Sequence, residues 1–164
     1  MNHQPIGKAL VLAMLLAATP ALAQTTPAPE TDSPATEAAE YAPQKAVYHI
    51  NYSGGIDGSG YKPALNNLDN HLNAVGEANL DLRVVMHGDG LGLLAAANKD
   101  QALQATISDL KTRGVRFLVC SNTLVGRNID PETDLFDVWP EDIVQAGVAE
   151  VTRLQQEGFA YIKP

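Results

Sequence analysis

The 164-residue chain has one cysteine, Cys120, one tryptophan, Trp139, and few basic residues. A single cysteine cannot form an intramolecular disulfide, so the fold must rest on a packed core or on association between chains. Lys and Arg number 11 against 19 Asp and Glu, a formal net charge of −8 with no basic run. That balance argues against nucleic acid or an anionic membrane surface as a partner. Beyond the N-terminus no segment approaches the roughly 20 apolar residues of a membrane-spanning helix. Several phosphate-binding and nucleophile motifs are also missing. "GDGLGLLA" has glycines after a strand but lacks the G-x-G-x-x-G spacing and an acidic ribose ligand, and there is no G-x-S-x-G elbow. "SGGIDGSG" has the composition of a phosphate cradle without the lysine of a P-loop.

The N-terminus carries Lys8, an apolar stretch from Ala9 to Ala18 and a small-x-small site at Ala21-Leu22-Ala23. This is the pattern of a cleaved secretory signal over 1–23, and it implies a periplasmic protein. Residues 24–44 are rich in Pro, Thr, Ala and Glu and have no large aliphatic side chain. Such a stretch buries too little apolar surface to offset its ordering entropy and reads as a disordered linker. Residues 45–164 remain for one domain.

Within that domain strands and helices alternate. "KAVYHINY" (45–52), "LRVVMHG" (82–88), "VRFLVC" (115–120), "FDVWP" (136–140) and "FAYIK" (159–163) read as five strands. Helices are expected from Pro63 to Gly76, over 99–113 and over 141–157, with a short turn at 90–96 and a loop or short helix at 121–133. Leu65, Leu68, Leu72 and Val75 give the first helix its apolar stripe, and Val144, Val148 and Val151 give the last. The pattern predicts an α/β domain, a three-layer α/β/α sandwich around a mostly parallel five-stranded sheet.

In such sheets chemistry collects beyond the carboxyl ends of the strands. That rule selects Cys120, Ser121 and Asn122 after one strand and His87 and Asp89 after another. Cys120 is either a small buried hydrophobe or a nucleophile whose thiolate is favoured by N–H groups of the following turn. The second alternative places it partly exposed in a cleft with His87, Ser121 and Asn122, and Asn122 as cap of the next short helix. His87 is either a backbone-bonded strand-end residue or a proton acceptor for Cys120, with Asp89 as its orienting partner or as a turn cap. His87, Asp89 and Cys120 match no short metal-ligand spacing, and His49 and His71 lie elsewhere in the pattern, so no metal and no cofactor is expected. Trp139 is a core residue or an interface anchor.

"VRFLVCSNTLVGRNI", "VVMHGDGLGLL" and "GVAEVTRLQQEGFAYIKP" together resemble the DsrE/DsrF-like proteins, and the similarity spans 45–164. The resemblance implies the three-layer fold with a parallel five-stranded sheet, and a homo-oligomer, trimeric or hexameric. In sulfur-relay members a cysteine at this strand end carries a persulfide, and Cys120 occupies that position. The relay members act in the cytoplasm, whereas the leader here implies export, which leaves the sulfur donor or acceptor open. The alternative is a non-catalytic oligomeric module that binds a small ligand and in which Cys120 is structural.

Overall fold

In the computed structural model the described residues, apart from Met1, run from 41 to 164. The expected leader and most of the expected linker lie outside them. The first strand, β1 (Gln44–Ile50), begins on the last residue assigned to that linker. It is followed by α1 (Lys62–Val75), β2 (Leu80–Met86), α2 (Gly92–Ala97), α3 (Gln101–Thr112) and β3 (Arg116–Cys120). The short helices α4 (Ser121–Arg127) and α5 (Pro131–Asp134) precede β4 (Ile143–Val144), α6 (Gly147–Gln156) and β5 (Ala160–Ile162). The five strands form one sheet in the order β4-β3-β2-β1-β5. Every pairing is parallel.

Strand residues alternate between the two faces. On one face Tyr48, Ile50, Val84, Met86, Phe117 and Val119 join the buried stripes of α1, α2 and α3 in the larger core cluster. The α1 stripe is the one its spacing predicts, since Leu65, Leu68, Leu72 and Val75 are all buried. On the other face Val47, Val85 and Leu118 pack with Val151 and Leu154 of α6 and Phe159, and Val144 lies against them. Among the described residues one sheet side is thus thickly covered and the other is covered by a single helix, which gives the three layers.

Local chemistry fixes the element ends. Pro63 falls in the first turn of α1, where its missing N–H costs nothing, and Gly76 caps the other end at φ 85°. The Asp100 carboxylate accepts from the N–H groups of Ala102 and Leu103 and starts α3.

The segment 136–146 departs from expectation. "FDVWP" is not a strand; β4 is the two-residue Ile143–Val144. The Phe136 N–H donates to the Leu94 carbonyl in α2, and Asp137 adopts a left-handed conformation at φ 52°. Both break an extended run. The last helix accordingly starts at Gly147, with Pro140–Asp142 a separate 3-10 turn. Val144 is a strand residue and Val148 is 61% exposed, so the buried stripe of α6 is Val151 and Leu154. Ile143 and Val144 happen to sit at helical spacing from Gly147 and Val151, and periodicity alone merged them.

Candidate functional site

The parallel register carries Met86 opposite Val119, so the next residues, His87 and Cys120, leave the sheet side by side at its carboxyl edge. Both have the parity of the α6 face. Gly147, the first residue of α6, packs against them. A Cβ built there would lie 3.0 Å from the His87 Cβ and 3.4 Å from the Cys120 Cβ. Only a residue without a side chain lets the N-terminus of α6 come this close.

Cys120 is 4% exposed, not the partly open thiol expected from its position. Its surroundings are nevertheless polar. Burial pushes the thiol pKa up, but the Thr123 hydroxyl and the N–H groups of Gly147, Thr123 and Asn122 outweigh it, and the net shift is downward. The Thr123 oxygen also accepts the Gly88 N–H at 3.0 Å. Because that N–H can only donate, the hydroxyl proton stays available for the sulfur. The donors to the sulfur come from two places, the first turn of α4 and the start of α6, and the turn after β2 holds the Thr123 hydroxyl through Gly88.

The other expected site residues divide. Asn122 contributes its N–H to Cys120, but its side chain accepts from the Gln145 amide at 3.2 Å instead of capping α4. The N-cap of α4 is Cys120 itself, and no side chain caps the helix. Ser121 is half-buried at the first position of α4, and its hydroxyl forms no hydrogen bond among the described residues. Asp89 does not orient His87; its carboxylate pairs with Arg127 at 2.8 Å.

His87 bonds a second histidine. Its Nε2 lies 2.7 Å from the Nε2 of His49, and the His49 Nδ1 lies 2.9 Å from the Tyr161 hydroxyl. No hydrogen bond joins His87 to Cys120 among the described residues. His49 sits on β1, two residues after Val47 and on the same face, and Tyr161 sits on β5 alongside. The row Tyr161–His49–His87–Cys120 therefore crosses four adjacent strands along one edge. Burial, His87 and Lys163 push His49 down to about 4, and burial with Lys163 lowers His87 as well. Lys163 is held beside the row by Asn51, with its ammonium 5.3 Å from the Tyr52 ring centre.

Sequence reasoning missed Thr123, Gly147, His49 and Tyr161. His49 and His87 stand 38 residues apart in the sequence. The available signal was parity: His49, His87 and Cys120 all point to the thinly covered face once the strands are parallel. His71, by contrast, is satisfied by Tyr48 and Gln44 on the opposite face. Among the described residues no group of three or more His, Cys, Asp or Glu side chains is arranged to hold a metal ion. Trp139 is 58% exposed, with its ring N–H donating to Asp137, so it is not a core residue.

A parallel α/β sheet with a hydrogen-bonded thiol at its carboxyl edge defines the class of protein. Residues 45–164 match the DsrE/DsrF-like family, and the chain belongs to that family. Its structure is similar to that of a protein of unknown function from Methanobacterium thermoautotrophicum, with 30% identity and a TM-score of 0.60 over 74% of this chain and 99% of that one. No curated protein matches.

Proposed function

We propose that this is an exported, periplasmic DsrE/DsrF-like protein that accepts or transfers sulfane sulfur through Cys120, and that it works as a homo-oligomer. The observation that carries the reading is the convergence of one hydroxyl and three N–H groups on the Cys120 sulfur, with a net downward pKa shift despite burial. A thiolate or a persulfide anion gains from those donors and a neutral thiol gains less. The family match supports the same chemistry at coarser grain. Among the described residues no helix is long and apolar enough to cross a membrane. Export rests on the leader pattern alone, and mature protein recovered from the periplasm should begin at Gln24.

The low exposure of Cys120 favours a second reading, in which the thiol is structural and the domain binds a small ligand without chemistry. Alkylation by iodoacetamide across a pH series separates them. Sulfur transfer predicts an apparent thiol pKa below the ordinary value of about 8.5. A thiol that alkylates only on unfolding supports the structural reading.

A further inference from the structure

We propose that residues 145–147, which join β4 to α6, are a strap over Cys120 that is latched to α4 by Asn122 and must lift before a reagent reaches the thiol. The inference rests on the sulfur-transfer reading and supplies what that reading needs, a route to a cysteine that is 4% exposed. Gly147 closes the α6 side of the thiol. A Cβ built on it would lie 3.4 Å from the Cys120 Cβ, and its N–H donates to the sulfur. The first turn of α4 supplies the other donors, from Thr123 and Asn122. Two bonds tie the strap to that turn beside the thiol. The Asn122 N–H donates to the Gln145 carbonyl at 3.3 Å, and the Gln145 side-chain amide donates to the Asn122 side-chain oxygen at 3.2 Å.

Little else holds the strap down. β4 is a two-residue strand at the sheet edge, paired with β3 alone among the described residues. Between Val144 and Val151 no apolar side chain is buried. Ala146 is half-buried, Val148 and Ala149 are exposed, and Gly147 has no side chain. The packing of α6 on the sheet begins a turn later, at Val151 and Leu154. Packing therefore pins the body of the helix and leaves its first turn to hydrogen bonds. Asn122 and Gln145 are both exposed, so water competes for their side-chain amides. A bond of that kind contributes little net stability. Segments held in this way open locally while the core stays folded. Lifting the strap breaks the two latch bonds and the Gly147 contact, and leaves the pairing of β1, β2 and β3 intact.

The two positions of the strap serve different needs. Closed, it gives the sulfur the Gly147 N–H, a donor that favours an anion there, whether thiolate or persulfide. Open, it admits the reaction partner. The side chains of Asn122 and Gln145 act through the strap, and both are positioning residues.

The test is the rate of Cys120 alkylation by iodoacetamide in the folded protein, followed by intact mass. It is read on the high-pH plateau, where the thiol is fully ionised, so that it reports access and not pKa. Gln145→Ala and Asn122→Ala each remove the side-chain latch and should speed alkylation about threefold. Either change loses the same bond, so the double variant should be no faster than the singles, whereas two unrelated effects would multiply. In urea below the unfolding transition the wild-type rate should stay nearly flat, because lifting the strap exposes little surface. Flat urea dependence with wild-type rates in both single variants, or a double variant whose gain is the product of the two, would overturn the strap and leave the sulfur reading standing. A wild-type rate that climbs with urea as steeply as global unfolding would overturn the strap and favour the structural thiol.

Discussion

At Cys120 burial and hydrogen bonding pull the thiol in opposite directions, and the hydrogen bonds win. The margin depends on Thr123, whose hydroxyl links the sulfur to the Gly88 N–H. Thr123→Val keeps the shape and removes both contacts. It leaves a partly buried N–H without a partner, so it should cost about 1–2 kcal/mol in urea unfolding and raise the thiol pKa. Thr123→Ser should keep both properties near wild type. The histidine row makes a separate prediction. His49 titrates near 4 in the fold, and its ordinary value is about 6.5. The unfolded chain therefore binds the proton first as pH falls. This contribution to stability is complete above pH 6.5 and shrinks on acidification, and it is spent by about pH 4. Allowing for solvent screening, wild-type protein should lose about 1 kcal/mol more than His49→Gln between pH 7 and pH 5. An equal loss in both would contradict the histidine assignment. The strand-end positions of Cys120 and His87 were legible in the sequence because strand ends are. Thr123, Gly147 and His49 were not, because their roles arise from register and helix placement that no local pattern encodes.

The elements that sequence periodicity located best are those with one apolar stripe and a clear stop. α1 (Lys62–Val75) and α3 (Gln101–Thr112) lie within one or two residues of their predicted spans. The stretch 136–146 failed because a left-handed Asp137 and a two-residue strand leave no periodic trace. The turn after β2, which the sequence marks only as a short helical segment, holds the closest backbone approach of any described glycine. A Cβ on Gly90 would lie 1.9 Å from the Ile50 carbonyl oxygen, a backbone atom that cannot step aside without parting β1 from the turn. Gly90→Ala should therefore destabilise by about 3 kcal/mol or more. It should also disturb Cys120, because the same turn carries Gly88 and its bond to Thr123. Urea unfolding with parallel thiol alkylation checks both effects, and a near-neutral Gly90→Ala would contradict this packing.

Across the whole molecule the two sheet faces are unequal. Among the described residues α1, α2 and α3 bury one face, while α6 is the one helix on the other and leaves Val148 61% and Tyr161 43% exposed. Apolar side chains left open beside a thinly covered sheet support the proposal of a homo-oligomer. Light scattering at micromolar concentration should give a multiple of the monomer mass, and Val148→Asp should shift it toward the monomer. A monomer mass for wild-type protein would remove the assembly proposal. The central claim, that Cys120 takes up sulfane sulfur, is tested most directly by intact mass after treatment with a low-molecular-weight persulfide. The account predicts a gain of one sulfur atom that is reversed by dithiothreitol and absent in Cys120→Ser. Folded wild-type protein that gains no sulfur, or gains it equally in Cys120→Ser, would contradict it.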